Sequence, residues 1–241
     1  MNVAIIVAAG RGTRAGGEVS KQFRALAGVP LLLHTLRRFE ECNAIQEIVV
    51  VAPVNETNFH LSANPDRLRK LARVVEGGAT RTESVWRGLQ ALNDAGTRIV
   101  AVHDGVRPFV TSVEIERTVR AAEETGAAVL CAPVTDTIKV IDGARIARTL
   151  PREHLRRALT PQCFRYELLR RAFERARAGQ IEATDDSALV ELCGVEVAVV
   201  EGDARNIKIT RPEDFALAEI LLKESGGERS EVSGRSVGDT N

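Results

Sequence analysis

The chain has 241 residues, with 33 Lys+Arg against 33 Asp+Glu, 44% hydrophobic and 4% aromatic. Zero formal charge argues against a surface built to neutralise nucleic acid or anionic membranes, which need a local cationic excess, and few aromatics leave few stacking platforms for single strands. No apolar run approaches the ~20 residues of a bilayer-spanning helix, and residues 1–9 lack the basic start of a secretory signal. Domains hold roughly 100–200 residues, and α/β units run longer. One domain over residues 1–223 is therefore predicted. Cys42, Cys131, Cys163 and Cys193 stand far apart with no CxxC pair. They read as reduced thiols of a cytoplasmic protein rather than zinc ligands or a disulfide frame.

In chain order, residues 3–8, 48–52, 74–75, 99–102 and 127–132 are short, nearly continuous apolar runs, as strands covered on both faces require. Between them, residues 31–41, 65–72, 81–95 and 112–125 carry apolar positions at helical spacing. The segment from Ser112 places Glu114 and Glu116 in its first turn, which favours the helix dipole. Strand and helix in alternation predict an α/β fold, a Rossmann-like mainly parallel sheet with helices on both faces. The rhythm then breaks. Residues 137–141, Asp142-Gly143 and residues 144–150 predict a β-hairpin, because Asp-Gly supplies the positive φ of a tight turn. This arm, about residues 136–160, is expected to protrude from the sheet. Helices are predicted over 166–178, 186–192 and from Pro212, and a strand over 195–200. Residues 224–241, rich in Ser, Gly, Glu and Arg, predict a disordered tail.

Ligands of such sheets bind beyond the carboxyl ends of the strands, and the chemistry-bearing residues fall there. Ala8-Ala9-Gly10-Arg11-Gly12-Thr13-Arg14 follows the first strand, with Lys21 beyond it. Its glycines let backbone N–H groups approach an anion, and Arg14 and Lys21 add the charge a triphosphate demands. The plain alternative is a βα turn with solvated basic residues. Gly10, Gly12 and Ala15 also meet the loose dinucleotide pattern, but no carboxylate ends the second strand, so a nicotinamide enzyme is disfavoured. Asp104, in His103-Asp104-Gly105-Val106-Arg107-Pro108, ends the central strand and would suit Mg²⁺, a hard cation that takes oxygen ligands. For His103 a structural hydrogen bond is the preferred role. Gly78 would allow close approach of a base, with Arg81 and Ser84 one helical turn apart; the plain alternative is a loop followed by a helix cap. Thr184-Asp185-Asp186-Ser187 opens a helix, and Asp186 reads as a dipole-matching cap. Lys208 lies on a short apolar stretch where a charge needs a partner.

Taken together, AAG-G-R…KQ, GG..R..S, HDG-RP, PV-DTIK, LTPQ and NIKIT, in this order over residues 2–223, resemble the 2-C-methyl-D-erythritol 4-phosphate cytidylyltransferase family. The resemblance implies an enzyme that joins CTP to a sugar-alcohol phosphate in non-mevalonate isoprenoid biosynthesis. It assigns Ala8, Ala9, Gly10 and Gly12 to the CTP loop, Arg14 and Lys21 to the triphosphate, and Gly78, Arg81 and Ser84 to cytidine. Asp104 would hold Mg²⁺, and Arg107, Thr137, Arg152, Thr184 and Lys208 would surround the methylerythritol phosphate. Arg14, Lys21, Arg152 and Lys208 are the expected catalytic residues. The family's homodimer implies that the arm carries Arg152 towards a neighbouring subunit. Two positions depart from the pattern: Ser20 stands where Pro is common, and Gly105-Val106 where two alanines are. A ribitol-phosphate or other sugar-phosphate cytidylyltransferase is the nearest alternative, and a non-catalytic nucleotide-sensing scaffold a remoter one.

Overall fold

The structure is a computed structural model that describes residues 1–10, 20–62, 68–92, 95–181 and 183–233. β1 (Asn2–Val7) is followed by a 3-10 turn (Lys21–Phe23), a small ribbon of β2 (Ala25–Leu26) and β3 (Val29–Pro30), and α1 (Leu31–Glu41). Next come β4 (Glu47–Val51), α2 (Val54–Ser62), β5 (Leu71–Val75), α3 (Arg81–Gln90), β6 (Ile99–Asp104), α4 (Ser112–Thr125) and β7 (Ala127–Pro133). The hairpin of β8 (Lys139–Asp142) and β9 (Arg145–Thr149) leads through a second 3-10 turn (Arg152–His154) into β10 (Arg156–Arg165). α5 (Tyr166–Ala178), α6 (Asp186–Glu191), β11 (Ala198–Glu201) and α7 (Pro212–Ser233) complete the order.

Seven strands form one sheet in the order β11-β7-β10-β6-β1-β4-β5. All neighbours are parallel except β10, which runs antiparallel between β6 and β7. The expected Rossmann-like architecture is therefore present. Its physical basis is the two-residue side-chain period of a strand. Val3 and Ile5 join Val49, Val51, Val100 and Val102 in a core with Val85 and Leu89 of α3 and Leu169 and Phe173 of α5. Ala4 and Ile6 point the other way, into a core with Leu36 and Phe39 of α1 and Ile115 and Val119 of α4. Both faces are dry, so alternation vanishes from the sequence while the apolar run remains. α4 is bounded by local chemistry: Thr111 and Glu114 form a capping box, and Gly126 closes the helix at φ 97°.

Three features differ from the sequence expectation. The helix expected over 65–72 is absent among its described residues: Leu71 opens β5, whose pairing with β4 outweighs the helical spacing, and the helix of this region is α2. Residues 63–67 lie outside the described part. β10 was not anticipated, because Pro161 interrupts it and strand interiors reject proline. A register shift between Ala158 and Gln162 accommodates that proline. Finally, α7 continues to Ser233, through the first ten residues of the expected tail. Glu, Arg and Ser there are tolerable helix residues once a helix has been nucleated by packed turns. Residues 234–241 lie outside the described part.

The arm is present where the Asp-Gly signal puts it, with Gly143 at φ 57°. β8 and β9 pair only with each other, and Ile141 and Ile146 are 69% and 63% exposed.

Candidate active site

β1 is flanked by β4 on one side and β6 on the other, so chain order reverses there, and Val7 lies opposite Asp104. A crevice opens at such a switch point beyond the carboxyl ends of the strands. Three turns meet in it at backbone distance. Gly105 N–H donates to Val7 O at 2.8 Å. A Cβ on Gly105 would come within 2.9 Å of Ala8 Cβ and 3.0 Å of Leu32 Cδ1, and one on Gly77 would overlap Ala9 Cβ. Glycine at 77 and 105 is thus what lets the turns after β5 and β6 close against the turn after β1. Within the second turn, the Ser84 hydroxyl donates to Thr80 O at 2.8 Å and accepts from Gly78 N–H at 3.0 Å, while Thr80 caps α3.

Asp104 ends β6 at 6% exposure. Its Oδ1 accepts from Arg81 Nε at 3.2 Å, and its Oδ2 lies 3.3 Å from Arg107 Nε and 3.0 Å from Lys208 Nζ. Burial opposes ionisation, but the three cations prevail and hold the Asp104 carboxyl well below the usual carboxylate range. Lys208 thereby has the partner its apolar setting demanded.

Arg81 has a second carboxylate. Its Nη2 donates to Asp186 Oδ2 at 2.8 Å, and Asp186 is 1% exposed. Burial pushes the Asp186 carboxyl up, with Arg81 pulling against it. The cap role expected for Asp186 belongs instead to Asp185, whose Oδ1 accepts from Ala188 N–H at 2.9 Å. Two adjacent acids at a helix start look alike in sequence, and only the fold separates the cap from the buried one.

A hydrogen-bond relay underlies the cluster. His103 Nε2 lies 3.1 Å from Arg107 O, an oxygen that can only accept, so this nitrogen carries the proton. His103 Nδ1 then accepts from the Thr160 hydroxyl at 3.0 Å, and Thr160 Oγ1 accepts from Asp104 N–H at 3.2 Å. Asn206 Nδ2 donates to Thr160 O at 2.9 Å, and Arg107 Nη1 donates to Asn206 O at 2.7 Å. His103 is structural, as expected. Thr160 and Asn206 were not singled out, although they sit within the LTPQ and NIKIT motifs.

The fold thus brings Ala8, Ala9, Gly10, Gly78, Arg81, Ser84, Asp104, Arg107 and Lys208 to one end of the sheet. Lys21 opens the 3-10 turn that Phe23 anchors in the core beneath α1. Thr137 and Arg152 are exposed at the arm, where Arg152 Nη1 donates to Thr135 O at 2.7 Å, and Thr184 is exposed just before α6. Arg14 and Gly12 lie outside the described residues.

A carboxylate ringed by cations thus lies at the switch point of a doubly wound sheet, the place where such folds take nucleotides, and the comparisons give the class as a nucleotidyltransferase. The family model for 2-C-methyl-D-erythritol 4-phosphate cytidylyltransferase matches residues 2–224, and the chain belongs to that family. The protein of this name from Pelotomaculum thermopropionicum is 46% identical over 96% of this chain and 98% of its own length. That from Halalkalibacterium halodurans is 43% identical over 91% and 96%. The crystal structure of 2-C-methyl-D-erythritol 4-phosphate cytidylyltransferase from Thermus thermophilus superposes with a TM-score of 0.72 at 39% identity, covering 92% of this chain and 98% of that one. The 4-diphosphocytidyl-2C-methyl-D-erythritol synthase of Anaerococcus prevotii gives 0.81 at 30% identity over 92% and 96%.

Proposed function

We propose that the protein transfers the cytidylyl group of CTP to 2-C-methyl-D-erythritol 4-phosphate, releasing pyrophosphate. The observation that carries this reading is the convergence of Arg81, Arg107 and Lys208 on Asp104 beside the β1 turn. The acceptor phosphomonoester, with a second pKa of about 6, is largely ionised at neutral pH and attacks the α-phosphorus without a general base. What remains is in-line placement and cancellation of the charge that builds on the departing pyrophosphate. Lys208, 41% exposed at its side chain, is free to swing from Asp104 to a phosphate oxygen. Arg107, pinned by Asn206 O, serves as a fixed fork for the acceptor phosphate. Arg14 and Lys21 are the residues for the β- and γ-phosphates, Gly78, Arg81 and Ser84 for cytidine, and Thr137, Arg152 and Thr184 for the acceptor.

Mg²⁺ fits as an ion carried in with the triphosphate. No group of three His, Cys, Asp or Glu side chains gathers among the described residues. Asp104 is a single hard oxygen donor, which matches a cation that keeps waters and binds through one or two carboxylates plus phosphates. When bound there, the ion would neutralise triphosphate charge and orient the leaving group. The exposed Ile141 and Ile146 of the arm support a homodimer in which Arg152 of one subunit serves its neighbour's acceptor site. The four free thiols suit a cytoplasmic setting; no helix among the described residues is long and apolar enough to cross a membrane.

The test is pyrophosphate release with CTP, Mg²⁺ and a panel of acceptors. Turnover with methylerythritol phosphate and little with ribitol 5-phosphate is expected. The reverse preference would replace the acceptor, and silence with every acceptor would favour a nucleotide-sensing scaffold.

A further inference from the structure

Asp186 is a buried carboxylate that neither its helix nor the proposed chemistry accounts for. α6 does not need it as a cap. Asp185 accepts from Ala188 N–H at 2.9 Å, from the Ser187 hydroxyl at 3.0 Å and from Gln162 Nε2 at 2.9 Å, and Gln162 Oε1 takes Ser187 N–H at 3.0 Å. The Asp186 side chain is left to face Arg81, 105 positions away in the chain. Burying a carboxylate is costly unless it is paired, so the site holds this charge against a gradient.

The geometry of Arg81 says what the charge does. Its Nη2 lies 2.8 Å from Asp186, while its Nε lies 3.2 Å from Asp104. The shorter contact is to Asp186. A guanidinium left with one carboxylate closes on it as a two-pronged fork. Split between two carboxylates, it grips Asp104 by one N–H only.

We infer that Asp186 is a positioning residue: it takes one prong of Arg81, so that Arg81 holds Asp104 Oδ1 by a single exchangeable contact, beside those of Arg107 and Lys208 on Oδ2, and Oδ1 can turn to the incoming nucleotide and its cation. The inference rests on reading the crevice as the CTP site. Asp186 follows Thr184 by two residues, so the same contact ties the acceptor-side segment before α6 to the nucleotide-side helix α3. Without Asp186, Arg81 folds onto Asp104 and competes with whatever Asp104 must bind.

A double-mutant cycle read by calorimetric titration of CTP with Mg²⁺, without acceptor, tests this on the full chain. Asp186→Asn is expected to weaken binding about tenfold, a coupling of ordinary size for residues in contact. In the Arg81→Ala background, Asp186→Asn is expected to change binding no further. Wild-type affinity in Asp186→Asn, or losses that simply add, would overturn the inference. Should the Asn variant not fold, Asp186→Glu keeps the charge and is expected to bind within about threefold of wild type; a folded Glu variant as weak as Arg81→Ala would equally overturn it. A wild-type protein that does not bind CTP at all would defeat the functional reading, and this inference with it. Normal wild-type binding with an indifferent Asp186→Asn defeats the inference alone.

Discussion

At the scale of single residues, the site is a carboxylate outnumbered by cations. Asp104 faces Arg81, Arg107 and Lys208, and Asp186 restores part of the balance. Such an arrangement is poised for an anion, since a triphosphate can replace carboxylate contacts one for one. Lys208 is the half-exposed member and contributes little to folding. Lys208→Ala should therefore lower kcat by roughly 10²–10³ while leaving the melting temperature near wild type; steady-state kinetics beside a melting curve reads both. Asp104 is different, because it is itself buried and removing it strands the half-buried Arg81 and Arg107. Asp104→Ala should abolish turnover and destabilise the fold by about 3 kcal/mol, the usual cost of breaking a buried pair, measured by urea unfolding.

At the scale of elements, turns set the site. Gly105 opens the turn after β6, and its missing Cβ is needed there: Ala8 Cβ, Leu32 Cδ1 and Val7 O would lie within 2.9, 3.0 and 3.2 Å of one. Gly105→Ala should cost about 1–3 kcal/mol and raise KM for CTP by displacing the β1 turn; thermal melts and kinetics on one preparation check this. Legibility from sequence follows the same division between local and non-local causes. α1, α4 and α5 begin and end at the residues their amphipathic spacing indicates, because caps and periodicity are local. The hairpin was readable for the same reason. β10 was not, since Arg156, Arg157 and Pro161 hide a strand that exists only through its partners β6 and β7. The glycine turns and Asp104 announced the crevice, whereas Asp186, Thr160 and Asn206 acquire their roles only from residues far away in the chain.

At the scale of the whole molecule, acid is the predicted weakness. His103 is fully buried and neutral, and burial pushes its pKa from 6.5 down to about 4. The unfolded chain takes up this proton first, so the contribution is present above pH 6.5 and is lost as pH falls towards 4. It amounts to about 3 kcal/mol. Asp104, with its carboxyl held low, adds a further loss below the ordinary carboxylate range, while Asp186, its carboxyl pushed up by burial, offsets part of the decline because the folded chain takes up that proton first. Urea midpoints measured from pH 8 to pH 4 should fall through this window, and His103→Gln should flatten the upper part of the decline.

The arm leaves the sheet after Pro133 and returns at Arg156, and these two residues face each other across the β7–β10 ladder. Directly opposed residues of an antiparallel pair sit about 5 Å apart, a gap that a two-residue turn spans. Residues 134–155 therefore form a detachable loop-out whose excision, with Asn-Gly as the splice, should leave the seven-stranded sheet folded by circular dichroism. The shortened chain should still take up CTP yet sediment as a monomer and ignore the acceptor, separating donor recognition from acceptor recognition in one molecule.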